Sequence, residues 1–567
     1  MRSKKMRSKK MIMLLVLLLA VAMTTACGAQ QPAPAATTQA AGGETTAAAA
    51  TTEQATTEAP AETTAEAATT AEAATTAAAT TAAAAETTAE ATEATAVASY
   101  DANDPLLKDK LTMTWYFRRP IDNMSAQDSI EKFVNENYFN PLLNCDLKMY
   151  PIDVASFDDK MRMMSAAGEA YDLVMATGWA NPIITNVSNG AFMPLDDLLA
   201  SYGQTILSKI DPRAWAAVTY GGKRMAIPTD TPWAQPNAIC MKKDLVEKYN
   251  FDYKAVKSLK DCEPFLATLL ENEPDIIPLY GNPGNWNTRL VTISKGISYN
   301  EDTGEIIIGL DDPFTQDAYK MLSDFYAKGY IAKDAIVRTE TVQEIKTGKY
   351  GVFGDPGGYT EDGSKSSGMY GFPCVEALYA YPLITTSGIT AAGNAISITS
   401  KNPERTMMLY DLIWQDRFLS NTLAYGLENQ NYSVVSGDIH DPNDDPVVEA
   451  FSGEQQTWAI WHNWVGPLWE QWSSNWNTTA ALQEMRDNNL NAPISRLAGF
   501  TFDPEPVKQE IAQITAISDE TEKIFTTGSA PDIEAYISES RARLVAAGAE
   551  KVIEEMKNQI ADWEASK

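Results

Sequence analysis

From about Tyr100 onward, short apolar segments alternate with amphipathic ones at helical spacing, which confines this part of the chain to α/β layers with helices on both faces of a sheet. Leu111–Tyr116 (LTMTWY) reads as a first strand and Ser125–Asn137 as the helix after it. Leu147–Pro151 reads as a second strand, Phe157–Ala167 as a helix stopped by Gly168, and Tyr171–Ala176 (YDLVMA) as a third strand. After Gly221–Pro228 (GGKRMAIP) a second unit opens, with Ala238–Met241 as a strand and Lys243–Tyr249 as a helix, so two α/β lobes are expected. Open sheets of this kind bind ligands beyond the C-terminal ends of their strands.

The N-terminal region has a different physics. A basic start, MRSKKMRSKK, precedes the apolar run MIMLLVLLLAVAM and then Thr24, Thr25, Ala26 and Cys27, the layout of an export signal spanning residues 1–26. The apolar run is about 13 residues, short of the roughly 20 that a permanent membrane-spanning helix needs. A Cys placed directly after small residues resembles the lipobox of bacterial lipoproteins, which implies that Cys27 is diacylated and becomes the anchored N-terminus. Residues 28–98 are almost all Ala, Thr and Glu, too poor in large apolar groups to offset the entropy of ordering, and read as a flexible spacer open to O-glycosylation. The folded part is expected over 99–567.

Composition removes whole classes of chemistry. The net charge is −30, and with six basic groups in the first ten residues and nine Glu in the spacer, the folded part is strongly acidic; nucleic acid is not a partner. His440 and His462 are the only histidines, too few for sites built on several imidazoles, and no cofactor is expected. Cys145, Cys240, Cys262 and Cys374 lie far apart without a C-x-x-C pair, leaving disulfides and buried thiols both open. The acidic turns HDPNDDPVVE (440–449) and DANDP (101–105) lack the spacing of a calcium loop and read as turn formers, so no metal is expected.

Several stretches in order along the folded part resemble the family 1 extracellular solute-binding proteins of ABC importers. They are YDLVMATGWANPIITNVSNGAFMPLDDLL (171–199), GGKRMAIP (221–228), ICMKKDLVEKYNF (239–251), KTGKYGVFGDPGGY (346–359) and AISITSKNPERTMMLYDLIWQD (395–416). LAYGLENQNYSV (423–434), FTFDPEPVKQEIAQI and RARLVAAGAEKVIEEMKNQIADW are similar to the LplA-like lipoprotein branch. The resemblance implies a two-lobed, type II periplasmic-binding-protein-like fold with a hinge and a ligand crevice. The first lobe would hold about 100–228 and 378–420, and the second 229–377 and 421–567. It further implies a monomer, lipid-anchored on the extracellular face of the cell membrane, that gives an oligosaccharide to ABC permease subunits and is not an enzyme. A carbohydrate-active enzyme with paired carboxylates and a sugar sensor are the competing readings.

Thirteen Trp and 23 Tyr supply flat platforms for sugar rings. Trp115, Tyr116 and Arg118 at the end of the first strand, Trp179 past the third, and Asp230 and Trp233 past the first crossing are candidate ligand residues. Trp286 and Arg289 in the GNPGNWNTR loop, Asp355 and Tyr359 around GDPGG, and Trp461 and Trp464 in TWAIWHNWVGPLWEQWSSNW complete the set. Arg119, Gln235, Asn287 and Glu428 are further candidate hydroxyl partners.

Overall fold

The computed structural model describes residues 103–565 apart from 235–236, 282–288, 339–340, 355–358, 381–382 and 475–476. Cys27 and the expected signal and spacer segments lie outside the described residues. Two main sheets take their strands in chain order: β1 (Leu111–Arg118), β2 (Cys145–Ile152), β3 (Leu173–Met175) and β4 (Ile227–Pro228), then β5 (Asn237–Lys242), β6 (Ile277–Leu279), β7 (Tyr350–Gly354) and β8 (Cys374–Ala380), and last β9 (Gly393–Ile396). The first sheet has the order β2-β1-β3-β9-β4, with β1 parallel to β2 and β3, and β9 antiparallel to β3 and β4. The second has the order β8-β5-β7-β6, with β5 antiparallel to both neighbours and β7 parallel to β6. β9 thus carries the chain back into the first sheet, and the fold is the expected two-lobed α/β type.

Residue choice explains the layers. In β1 the alternation puts Met113, Trp115 and Phe117 on one face, each at most 1% exposed. Pro228 lacks an N–H and sits on the edge strand β4, where a missing donor is tolerated. In β5, Ile239 and Met241 enter one core of the second lobe while Cys240 enters the core on the opposite face. The Phe157–Ala167 helix has the expected bounds because Gly168, at φ +67°, takes the left-handed conformation that closes it. Pro403 opens the Pro403–Gln415 helix, where its missing N–H costs nothing.

A third body is C-terminal. Strands Leu290–Ser294, Ile297–Asn300 and Ile306–Ile308 form a small antiparallel sheet that shares a core with helices Lys508–Thr527, Ile533–Ala546 and Ala549–Ala565. Tyr319, on the Pro313–Lys328 helix, packs on both this core and that of the second lobe.

Two expectations change. Leu378 belongs to β8 in the second sheet, so the return to the first lobe falls after it. Leu419, Leu423, Trp458, Ile460, Trp464 and Val465 lie in the first-lobe core, so the region after 420 does not pass directly to the second lobe. The physical reason is volume: this Trp-rich stretch fills the space beside Tyr410 and Trp414 of the Pro403–Gln415 helix. Cys145, Cys240, Cys262 and Cys374 are buried free thiols, and burial pushes Cys145, Cys262 and Cys374 up to about 12.

Candidate functional site

The end of β3 leads into a turn that Thr177 holds shut. Its Oγ1 accepts from Ala180 N (2.7 Å) and Trp179 N (3.1 Å), and Gly178 N donates to Thr390 O at 2.8 Å. A Cβ at Gly178 would stand 2.7 Å from Thr390 Oγ1, so only glycine lets the turn approach that strand connection. The turn presents Trp179 with half its surface exposed, its indole N–H donating to Ala391 O at 2.7 Å. Arg118, the last residue of β1, lies with its guanidinium 4.8 Å from the Trp179 ring centre.

Trp464 and Trp461 extend this surface. Ring centres are 6.5 Å apart for Trp179 and Trp464, and 4.8 Å for Trp461 and Trp464, with Trp461 56% exposed. Trp464 itself is buried, 6% exposed, beneath the two exposed indoles and anchored through its main chain. Asn394 Nδ2 donates to Trp464 O (3.0 Å) and to Tyr410 Oη (2.8 Å), and Asn394 Oδ1 accepts the Trp115 indole N–H at 3.0 Å. Four of the expected residues, Arg118, Trp179, Trp461 and Trp464, therefore meet in one aromatic shelf at the strand ends of the first lobe.

The remaining expected residues separate. Trp115 is fully buried and has no face for a ligand; it positions Asn394 instead. Tyr116 points to the other face of β1, stacked on Tyr150 at 4.5 Å and edge-on to Tyr171, because side chains alternate along a strand. Arg289 pairs with Asp302 at 2.6 Å beside the small C-terminal sheet. Arg119 pairs with Asp153 at 2.8 Å, and Glu428 is exposed beside Tyr432. Trp286, Asp355, Gln235 and Asn287 lie outside the described residues. The 440–449 carboxylates cap their own turn, Asp441 Oδ1 accepting from Asn443 N and Asp444 Oδ2 from Asp438 N. Among the described residues no three His, Cys, Asp or Glu side chains converge as metal ligands.

Asp230 and Trp233 occupy the first crossing between lobes and are each 5% exposed. Asp230 N donates to Gly466 O at 3.0 Å, which ties the crossing to the Trp464 segment. Burial pushes the Asp230 carboxyl up to about 8; Arg486 and Lys209 pull it down and Glu470 raises it. Tyr359, half-buried in the second lobe, is pushed up to about 12 by burial. Its loop is fixed by Thr360 N donating to Glu376 Oε2 (2.8 Å) and Glu361 N donating to Glu484 Oε2 (3.0 Å). Asn394, Glu376 and Glu484 were missed from sequence. The available signal was a polar side chain inside an apolar strand, as in GNAI for Asn394 and CVEALYA for Glu376.

A two-lobed α/β fold with an aromatic shelf at its strand ends and a tied crossing offers a surface on which a solute can be held. Residues 145–405 match the family model for bacterial extracellular solute-binding protein. Residues 496–565 match a domain of unknown function, DUF3502. The chain is 25% identical over 416 residues to a carbohydrate ABC transporter substrate-binding protein of Streptococcus pneumoniae serotype 4, covering 71% of this chain and 81% of the relative. It is 21% identical over 254 residues to lipoprotein LipO of Bacillus subtilis, covering 42% and 48%. The fold is similar to the crystal structure of the N-glycan transport solute binding protein NgtS of Streptococcus pneumoniae, with a TM-score of 0.69, 22% identity and coverage of 80% of this chain and 99% of that one.

Proposed function

We propose that this chain is an extracellular substrate-binding lipoprotein that captures an oligosaccharide by closing its lobes and delivers it, unaltered, to the permease subunits of an ABC importer. The observation that carries this reading is the shelf of Trp179, Trp461 and Trp464 with Arg118 over the Trp179 ring. Sugar rings offer apolar C–H faces for such a platform and hydroxyl edges for a multi-donor side chain such as Arg118. Tyr359 is the aromatic that the second lobe would add on closure, and the loop beside it is held by the Glu376 and Glu484 contacts. The carbohydrate-importer relative and the N-glycan-binding structural neighbour support the same ligand class.

The protein works as a monomer with no cofactor, tethered at the outer face of the cell membrane by two acyl chains on Cys27. A thermal-shift screen of the purified protein against mono- and oligosaccharides, with chromatography of the best hit, tests the reading. A shift with the sugar recovered intact supports it; cleavage of the sugar would replace it with the enzyme reading, and no shift with any sugar would reject the ligand class. Replacing Cys27 by Ser is expected to release the protein from membranes, and retention in the membrane fraction would remove the lipid anchor.

A further inference from the structure

A cavity of about 490 Å³ opens in the C-terminal body, and none of the shelf residues lines it. Its walls come from the small antiparallel sheet, the Pro313–Lys328 helix and the Lys508–Thr527 helix, so it lies at the seam between the second lobe and the C-terminal module. The volume falls within the range of small-molecule sites, about 300–1,000 Å³.

The lining has two characters. On one side Tyr319 stacks on Phe525, ring centres 4.5 Å apart and planes 15° from parallel. On the other lies a set of hydroxyls. Ser298 is 7% exposed, and its hydroxyl makes no hydrogen bond among the described residues; nor does the phenol of Tyr319. Neither oxygen is sealed from solvent, so each can exchange a water for a hydroxyl of a ligand. Thr521 Oγ1 donates to Ile517 O (2.9 Å) and Thr315 Oγ1 to Asp312 Oδ2 (2.9 Å), leaving the lone pairs of both oxygens as acceptors.

The charge around the cavity narrows the ligand further. Lys295 is bonded to Asp519 and lies 2.8 Å from Glu522, so its charge is neutralised and the local excess is negative. An anionic ligand is disfavoured there. Gly296, at φ +81°, lines the cavity where a Cβ would stand 2.8 Å from Ser518 Oγ.

We infer that this cavity is a second binding site, separate from the aromatic shelf, for a small neutral polyhydroxylated ring such as a monosaccharide, its apolar face on Tyr319 and its hydroxyls on Ser298, Thr315 and Thr521. Hydrogen–deuterium exchange of the purified protein with glucose, mannose or N-acetylglucosamine tests it. Slowed exchange is expected over 290–298, 309–319 and 514–526. Ser298→Ala is expected to weaken that protection about five-fold in apparent affinity, through loss of one neutral hydrogen bond. Ala318→Phe, which fills the cavity, should abolish it, and Trp179→Ala should leave it unchanged. Ser298→Ala adds no volume, so it reads the site even where Ala318→Phe fails to fold. Absence of protection with all three sugars, protection confined to the shelf segments, or protection insensitive to both cavity variants would overturn the site.

Discussion

Asp230 shows how one residue can report on the crossing it occupies. Burial pushes its carboxyl up to about 8 from the ordinary 3.8, so the folded state keeps a proton that the unfolded chain gives up. The stabilisation is fully present below 3.8 and is lost as pH rises through 8. Asp230→Asn is therefore expected to raise the melting temperature by about 2–4 °C at pH 9 and by less at pH 5, a contrast that differential scanning calorimetry measures. His462 has the opposite sign. It is 5% exposed, burial drives it down to about 3, and stability falls as pH drops below the ordinary 6.5. Sequence singled out Asp230 and Trp115 for their positions near strand ends and crossings. It could not show that both side chains turn inward, because position along an element does not fix direction. Trp179 was legible for the opposite reason: a residue just past a strand, followed by Ala180 and Asn181 in a turn, has nowhere to bury its ring. Trp179→Ala is expected to weaken oligosaccharide binding by about 2 kcal/mol, the scale of an anchoring aromatic, as read by calorimetric titration.

Among the elements, the Thr479–Asn491 helix joins the two lobes. Asn489 Nδ2 donates to Thr231 O at 2.8 Å and its Oδ1 accepts from Ala234 N at 3.1 Å, pinning the first crossing. One turn and a half earlier, Glu484 holds the Tyr359 loop of the second lobe. Thr231 and Ala234 are 3% and 1% exposed, so Asn489→Ala would leave a buried carbonyl and a buried N–H without partners. The expected cost is about 1–3 kcal/mol, seen as a lower urea midpoint, whereas Asn488→Ala on the same helix should change little. Element identity was largely legible. The first strand, the Phe157–Ala167 helix with its Gly168 stop and the strand before SKNPE all follow from apolar period and terminators. The destination of the Trp-rich 457–476 stretch was not, since periodicity shows that a segment has an apolar face without showing which core that face fills. The helix after β1 also runs on through a π-turn at Asn135–Phe139, which no 3.6-residue pattern announces.

At the scale of the molecule, the crossings are few and short, and they are tied to one another. Ile384 N donates to Pro493 O (2.9 Å) and Ser495 N to Ile384 O (2.8 Å), so the second crossing and the segment entering the C-terminal body run side by side as a parallel bridge. The first crossing is tied to the same region through Asn489. Bundled connections of this kind restrict relative motion to a bend, since sliding one lobe past the other would break all of these bonds together. The shelf belongs to the first lobe and Tyr359 to the second, so a ligand touching both gains contacts only in the closed state, and its differential affinity sets how far it shifts the equilibrium. Small-angle scattering of the purified protein should therefore show a smaller radius of gyration with saturating oligosaccharide than without. The same sugar at a hundredfold excess over its Kd should stabilise the fold by about 2.7 kcal/mol. Trp179→Ala should need more sugar to reach the same compaction, because it weakens binding without altering the bend. Tyr359→Ala should still bind on the first-lobe shelf yet compact less at saturation, because the contact that rewards closure is gone. Binding with no change in the radius of gyration of the unsubstituted protein would separate capture from closure and leave the lobes rigid around their ligand.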